Sequence, residues 1–230
     1  MPVNIIERSS PNHDARPNGA GVDLLVMHYT GMKTPDAALA RLCDPASKVS
    51  SHYMIDEDGG IYALVPESAR AWHAGVSWWA GKPDVNSRSI GIEMVNPGHE
   101  FGYHAFSDEQ IDALIALSRD ILRRHAIPPR NVVGHSDIAP NRKQDPGELF
   151  PWHVLAASGV GLWPKPHHAA LPISFEKALR RYGYGIAPDT KATLEETIIA
   201  FQRHFRPEKL DGVMDGECEA LLAALLANLD

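Results

Sequence analysis

Two short apolar runs that each end on a histidine constrain this chain more than any other feature. Leu24-Leu25-Val26-Met27-His28 and Asn131-Val132-Val133-Gly134-His135 both read as buried strands. Strand ends and the loops after them are where a rigid scaffold presents reactive groups. Asp145 follows His135 by ten residues, in the loop Ser136-Asp137-Ile138-Ala139-Pro140-Asn141-Arg142-Lys143-Gln144-Asp145. Two imidazoles and one carboxylate fill three positions of a tetrahedral zinc and leave the fourth open to water. That is the catalytic rather than the structural pattern.

Around these runs the pattern alternates. Residues 23–28, 52–56, 61–65, 89–95 and 131–135 read as strands, with Asp58-Gly59-Gly60 as a hairpin turn between the second and third. Thr34-Pro35 opens a short helix, Thr as cap and Pro in the first turn. Ser107 with Gln110 makes a capping box for a longer one, whose apolar positions Ile111, Leu114, Ile115, Leu117, Ile121 and Leu122 share a face. Strands mixed with helices predict an α/β fold, a mixed central β-sheet flanked by helices; periodicity does not fix the strand order. The Gly- and Pro-rich stretch 159–173 reads as a linker, with His167-His168 on its surface. Residues 174–230 carry helical periodicity alone, with Ser174, Thr193 (boxed with Glu196) and Asp215 as caps. The expected organisation is an α/β domain over 1–158, the linker, and a small three-helix bundle over 174–230. Every candidate for chemistry lies before residue 159, so the bundle is expected to bind or pack and to be separable from catalysis.

Composition excludes other classes. The net charge of −7 carries no nucleic-acid footprint. Cys43 and Cys218, far apart, do not make a disulfide framework and read as small buried residues. No window of about twenty apolar residues could span a membrane, and no signal peptide is visible, which gives a cytoplasmic expectation, or a periplasmic or outer-membrane one if an export signal has been removed or missed. A monomer is expected.

A metal-activated water needs a base, and the developing oxyanion needs a donor. Glu93 is the one carboxylate in the apolar run Ile90-Gly91-Ile92-Glu93-Met94-Val95. It reads either as a strand-end residue paired with a cation or as a base whose pKa burial has raised. Lys143, two residues before Asp145, reads either as a solvated loop lysine or as a cation beside the metal. His52 reads as structural, since a catalytic zinc keeps its fourth position open.

These residues belong to longer matching segments. Val26-Met27-His28, Ala71-Trp72-His73-Ala74-Gly75-Val76-Ser77, Ser89-Ile90-Gly91-Ile92-Glu93 and Gly134-His135-Ser136-Asp137 through Asp145-Pro146-Gly147 strongly resemble, in order, the zinc-dependent type-2 N-acetylmuramoyl-L-alanine amidases, which are related in fold to peptidoglycan recognition proteins. The resemblance covers about residues 5–158. It implies that His28, His135 and Asp145 hold one zinc per chain, that Glu93 is the acid/base and that Lys143 assists at the scissile carbonyl. It also implies that Trp72, His73, Ala74, Gly75 and Asn86 line the substrate groove, with His73 equally readable as packing behind the metal. Lys48 stands where some relatives place a basic residue against a peptide carboxylate.

The segments Ile199-Ala200-Phe201-Gln202 and Leu210-Asp211-Gly212 resemble a three-helix peptidoglycan-binding domain. Both resemblances together imply an enzyme that cleaves between N-acetylmuramic acid, or its 1,6-anhydro form, and L-alanine, with peptidoglycan or a muropeptide as its partner. The alternative is a recognition module that binds peptidoglycan without cutting it. Relatives of that kind have generally lost a metal ligand, whereas this chain keeps the ligand set, the glutamate and the lysine.

Overall fold

The computed structural model describes residues 5–17, 20–165 and 171–229. The expected linker pair His167-His168 lies outside the described residues. In chain order the elements are β1 (Ile5–Glu7), β2 (His13–Ala15), β3 (Leu24–Tyr29), α1 (Pro35–Cys43), β4 (Tyr53–Ile55), β5 (Ile61–Ala63), β6 (Ala69–Ala71), β7 (Trp78–Trp79), β8 (Lys82–Pro83) and β9 (Ser89–Met94). Then follow α2 (Gly98–Phe101), α3 (Asp108–Arg124), β10 (Val132–Gly134), α4 (His135–Ile138), α5 (Trp152–Ala157), α6 (Phe175–Tyr182), α7 (Leu194–Phe205) and α8 (Gly216–Leu226).

Among the described residues the main sheet has the order β1-β5-β4-β9-β3-β10. It is mixed, as the sequence implied: β4 and β5 run antiparallel around the Asp58-Gly59-Gly60 turn, and the other neighbours are parallel. The expected strands form within two residues of their expected ends. The exception that matters is His135, which opens the helical turn α4 instead of closing a strand.

Alternation along the central strands divides the core into two layers. Leu25, Met27, Ile90, Ile92, Met94 and Val132 face the long helix α3. Leu24, Val26 and Val133 point the other way, into a cluster that also takes Trp79, Tyr184 and Phe201. That second cluster joins the α/β part to the C-terminal helices, so 174–229 does not stand apart on a linker. It forms the third layer of the molecule, packed on the sheet face opposite α3. Trp79 is fully buried there, its ring edge-on to Tyr182 and Tyr184, and the Ala80 N–H donates to the Gly183 carbonyl at 2.8 Å.

The caps form where the sequence puts them, with one difference. Thr34, Ser107, Ser174, Thr193 and Asp215 each accept from a backbone N–H in the first turn of their helix. Thr193 and Glu196 close a reciprocal box. Gln110 does not close the box with Ser107; its amide instead donates to the Ile55 and Val95 carbonyls at 3.1 and 2.9 Å, at the ends of β4 and β9, where Ile55 also accepts the Val95 N–H. Both cysteines are free, Cys218 buried and Cys43 only half-buried.

Candidate metal centre

Strand register assembles the site. His28 pairs with Glu93 across β3 and β9, and Met27 pairs with Gly134 across β3 and β10. The residue after Gly134, His135, is therefore level with His28. Asp145 joins them from the loop beyond α4, which the Ser136 N–H fastens by donating to the Asp145 carbonyl at 2.9 Å. His28 Nδ1, His135 Nδ1 and Asp145 Oδ2 lie 2.9–3.0 Å from one another, all three residues buried.

The outward nitrogens fix the rings. His135 Nε2 meets the Ala74 carbonyl at 3.1 Å. A carbonyl can only accept, so the ring proton sits on Nε2 and Nδ1 presents a bare lone pair. His28 Nε2 meets His73 Nδ1 at 2.9 Å, and His73 Nε2 reaches Ser89 Oγ at 3.0 Å. The tautomer in which His28 Nε2 donates to His73 Nδ1 leaves His28 Nδ1 bare too. Burial, with His135 adding, pushes the His28 pKa down to about 4, which keeps the ring neutral. Bare lone pairs and a carboxylate converging at this spacing repel one another unless a cation sits among them. Ligand nitrogens and oxygens at about 2.0–2.1 Å around a tetrahedral ion stand about 3.3 Å apart. The donor set therefore fits a metal ion, and the outward hydrogen bonds are the kind that orient metal-binding histidines.

Glu93 lies at the same level with a different character. Its Oε2 is buried and has no hydrogen-bond partner among the described residues. Burial, reinforced by Asp145 and opposed by Lys143, holds its carboxyl well above the usual carboxylate range. An unpaired carboxylate oxygen in such a place is costly unless something else binds it. It faces a cleft of about 590 Å³ whose walls include Tyr29, Trp72, Phe101, Lys143 and Asp145. The arrangement offers a cation site, a proton-accepting carboxylate and an exposed ammonium around one open space.

The structure does not bring every expected residue to that space. Trp72 and His73 line the cleft, His73 while packing behind His28. An added Cβ on Gly91 would stand 2.5 Å from the His73 ring, so this strand position must be glycine for His73 to lie where it does. Ala74 is buried and acts through its carbonyl. Gly75, at φ 56°, lies against the Arg142 guanidinium. Asn86 is behind the loop, its Oδ1 accepting from the His73 and Ala74 N–H groups at 3.1 and 2.7 Å. Lys48 is exposed, next to the cleft residues Val49 and Ser50. His52 is structural: the Gly91 N–H donates to its Nδ1 at 3.0 Å, and its Nε2 lies between the Arg16 guanidinium at 3.0 Å and the Ala69 carbonyl at 3.2 Å. Sequence reasoning missed Ser89 as the end of the His28–His73 chain. The signal was present, since Ser89, Gly91 and Glu93 alternate onto one face of β9.

The sequence model of the N-acetylmuramoyl-L-alanine amidase family matches residues 18–148, more than half of the chain. The chain belongs to this amidase family. It is thereby an enzyme of the amidase type, and its three convergent side chains all fall within the matched segment. The chain is 42% identical to N-acetylmuramoyl-L-alanine amidase AmiD of Escherichia coli (strain K12) over 230 aligned residues, covering 89% of this chain and 82% of that protein. The solved complex of E. coli AmiD with anhydro-N-acetylmuramic acid-L-Ala-D-gamma-Glu-L-Lys superposes with a TM-score of 0.81 at 40% identity, covering 92% of each chain. AmpDh3 of Pseudomonas aeruginosa, in complex with anhydromuramic pentapeptide, gives a TM-score of 0.81 at 38% identity over 90% of this chain and 92% of its own. The coverage by AmiD and AmpDh3 exceeds the amidase segment, so their likeness takes in part of the helical layer. Among the described residues no helix is long and apolar enough to cross a membrane.

Proposed function

We propose that this amidase is a zinc hydrolase that cleaves the amide between the lactyl group of N-acetylmuramic acid and the L-alanine of the stem peptide, and that it accepts the 1,6-anhydro sugar. The observation that carries the reading is the convergence of His28 Nδ1, His135 Nδ1 and Asp145 Oδ2 beside a buried, unpartnered oxygen of Glu93 in one cleft. The anhydromuramic ligands of the solved AmiD and AmpDh3 complexes support the substrate class.

In this reading His28, His135 and Asp145 hold the ion. Zinc bound there supplies Lewis acidity toward a carbonyl oxygen and lowers the pKa of water to about 7. Glu93 takes the proton of the attacking water and returns it to the leaving amine. Its raised proton affinity suits both halves of that exchange near neutral pH. Lys143 lends its charge to the carbonyl oxygen as the tetrahedral intermediate forms. His73 and the Ala74 carbonyl hold the two imidazoles in the tautomer that points Nδ1 inward. Trp72 offers an aromatic wall to the sugar or the peptide. Lys48, Gly75 and Asn86 shape the approaches rather than the reacting centre.

The deciding experiment incubates purified protein separately with an anhydro-muropeptide and with intact sacculi, with metal analysis alongside. Release of free L-alanyl peptide with one equivalent of zinc per chain is expected. A zinc-loaded protein that releases no peptide from either substrate would sink the reading.

A further inference from the structure

The helical turn that carries His135 is held from behind by the third layer. Asp137, two residues after His135, is 1% exposed. Its Oδ2 accepts the Gly134 N–H at 2.7 Å and His204 Nδ1 at 2.7 Å, and its Oδ1 accepts the Tyr184 hydroxyl at 2.7 Å. Gly134 belongs to β10, whereas Tyr184 and His204 belong to the C-terminal helical segment. Removed from water, a carboxylate depends on such donors, and losing one leaves a buried lone pair unsatisfied.

Both donors are themselves fixed. The His204 ring is stacked on Trp152 at 3.8 Å and on Phe205 at 3.9 Å, nearly parallel to each. Tyr184 is buried, edge-on to Trp79 and Phe201. Neither can swing without giving up its packing. The turn they grip does more than carry His135: the Ser136 N–H also holds the Asp145 carbonyl. A tilt of α4 would therefore move His135 Nδ1 and Asp145 Oδ2 together, while His28, set by β3 and His73, stayed in place.

We infer that Tyr184 and His204 are positioning residues of the metal centre, acting through Asp137 to set α4 and with it the His135–Asp145 half of the ligand set. The inference rests on the zinc reading above. It gives the helical segment a part in catalysis although none of its described residues belongs to the proposed ligand set. Geometry at a metal site tolerates little looseness, and outer partners of ligands commonly change affinity or activity by about 10- to 100-fold when removed.

The test uses the full chain with Tyr184→Phe, His204→Leu, His204→Asn and the remote control Leu222→Ala. Leu222 is fully buried among the C-terminal helices, in the same apolar cluster as Tyr184. Zinc affinity by chelator competition, the visible spectrum of the cobalt(II)-substituted protein, thermal midpoint, kcat and KM are measured for each. Tyr184→Phe and His204→Leu should weaken zinc binding by about tenfold or more, shift the cobalt bands, and lower kcat with KM unchanged. His204→Asn, whose amide can donate from near the Nδ1 position, should recover much of the affinity. Leu222→Ala should lower the thermal midpoint yet keep wild-type affinity and spectrum. Wild-type affinity and spectrum in both Tyr184→Phe and His204→Leu would overturn the inference, as would an equal loss in Leu222→Ala. A wild-type chain that binds no zinc would overturn the zinc reading itself, and this inference with it.

Discussion

His28 and Glu93 stand directly opposite each other in the parallel pairing of β3 with β9. Their relative position is thus set by backbone hydrogen bonds of the central sheet, the stiffest part of the fold, and not by a contact between the two side chains. On the proposed reading, a proton-handling carboxylate then stays beside a metal-binding histidine without ligating or pairing with it. Glu93→Ala should keep the fold and the metal while losing turnover by at least about 10²- to 10⁴-fold, the usual worth of a positioned acid/base. Metal content and single-turnover kinetics check this together. Near wild-type turnover would require another base, and His73 would be the next residue to examine.

Lys143 is exposed at the cleft and acts on Glu93 only through its charge. On the proposed mechanism its charge is of most use when the oxyanion forms, so Lys143→Ala should act on kcat with KM little changed. Loss of one oxyanion donor is worth about 10²- to 10³-fold, and solvent around this side chain places the expectation at the lower end. The losses in Glu93→Ala and Lys143→Ala should not multiply in the double variant, because both groups serve one charge-development event. Fully multiplicative losses would show that they act in separate steps.

The helical layer answers to a balance of magnitudes. Leu24, Val26, Trp79, Val85 and Val133 are almost entirely buried and share their cluster with the C-terminal helices. Uncovering a large apolar side chain costs about 1.5–3 kcal/mol, and whole domains are stable by only about 5–15 kcal/mol. Deleting residues 172–230 should therefore give an insoluble or molten chain with no measurable amidase activity. A soluble, cooperatively folding truncation that still cleaves a small muropeptide would show that the sheet face can stand uncovered.

The packing of the helical segment on the sheet was the main thing the sequence did not show, and the reason is physical. Amphipathic helices announce that they bury a face but not what they bury it against. His204 and Tyr184 look like ordinary helix and turn residues until Asp137 is placed beside them. By contrast β3, β9 and β10 were legible because a strand buried on both faces shows as an apolar run, and His28, Glu93 and the His135 that follows β10 stood out against it. β1, β2, β7 and β8 are two or three residues long and too short to show a period. The helix caps were legible because capping is local chemistry. Gln110 departed from it only because strand carbonyls, invisible in the sequence, competed for its amide.

Acid should unfold the protein through its buried histidines. Burial, first among the causes for each, pushes His28 down to about 4 and His52 to about 3, and holds His73 well below its ordinary value of 6.5. A depressed histidine contributes stability that is fully present above its unfolded pKa and is lost as pH falls through its folded one. In the metal-free protein stability should thus decline from about pH 6.5 toward pH 3–4, each histidine adding up to about 1.4 kcal/mol per pH unit. Denaturant unfolding across this window should show His52→Gln with a shallower decline by about one proton's worth. An unchanged slope would mean that His52 is protonated in the folded state.

Gly91 offers the sharpest test of how His28 is held. The His73 ring lies over this residue, and a Cβ there would sit 2.5 Å from ring atoms, far inside contact distance. The ring cannot yield toward the sheet, so it must move outward, and its hydrogen bonds to His28 Nε2 and Ser89 Oγ, now 2.9 and 3.0 Å, must lengthen together. Gly91 has φ in an ordinary strand, so Gly91→Ala adds a methyl group without backbone strain; the nearest atoms it would meet belong to the His73 ring. The variant should fold, with a stability loss of about 1–3 kcal/mol from overpacking. Its metal affinity should fall by about 10- to 100-fold, as expected when the partner that orients a ligating imidazole is displaced. His73→Ala in the same background should then cost little more affinity, because the interaction it removes is already broken. If Gly91→Ala alone leaves metal affinity at the wild-type value, His28 is oriented by β3 without help from His73, and His73 is free for the substrate.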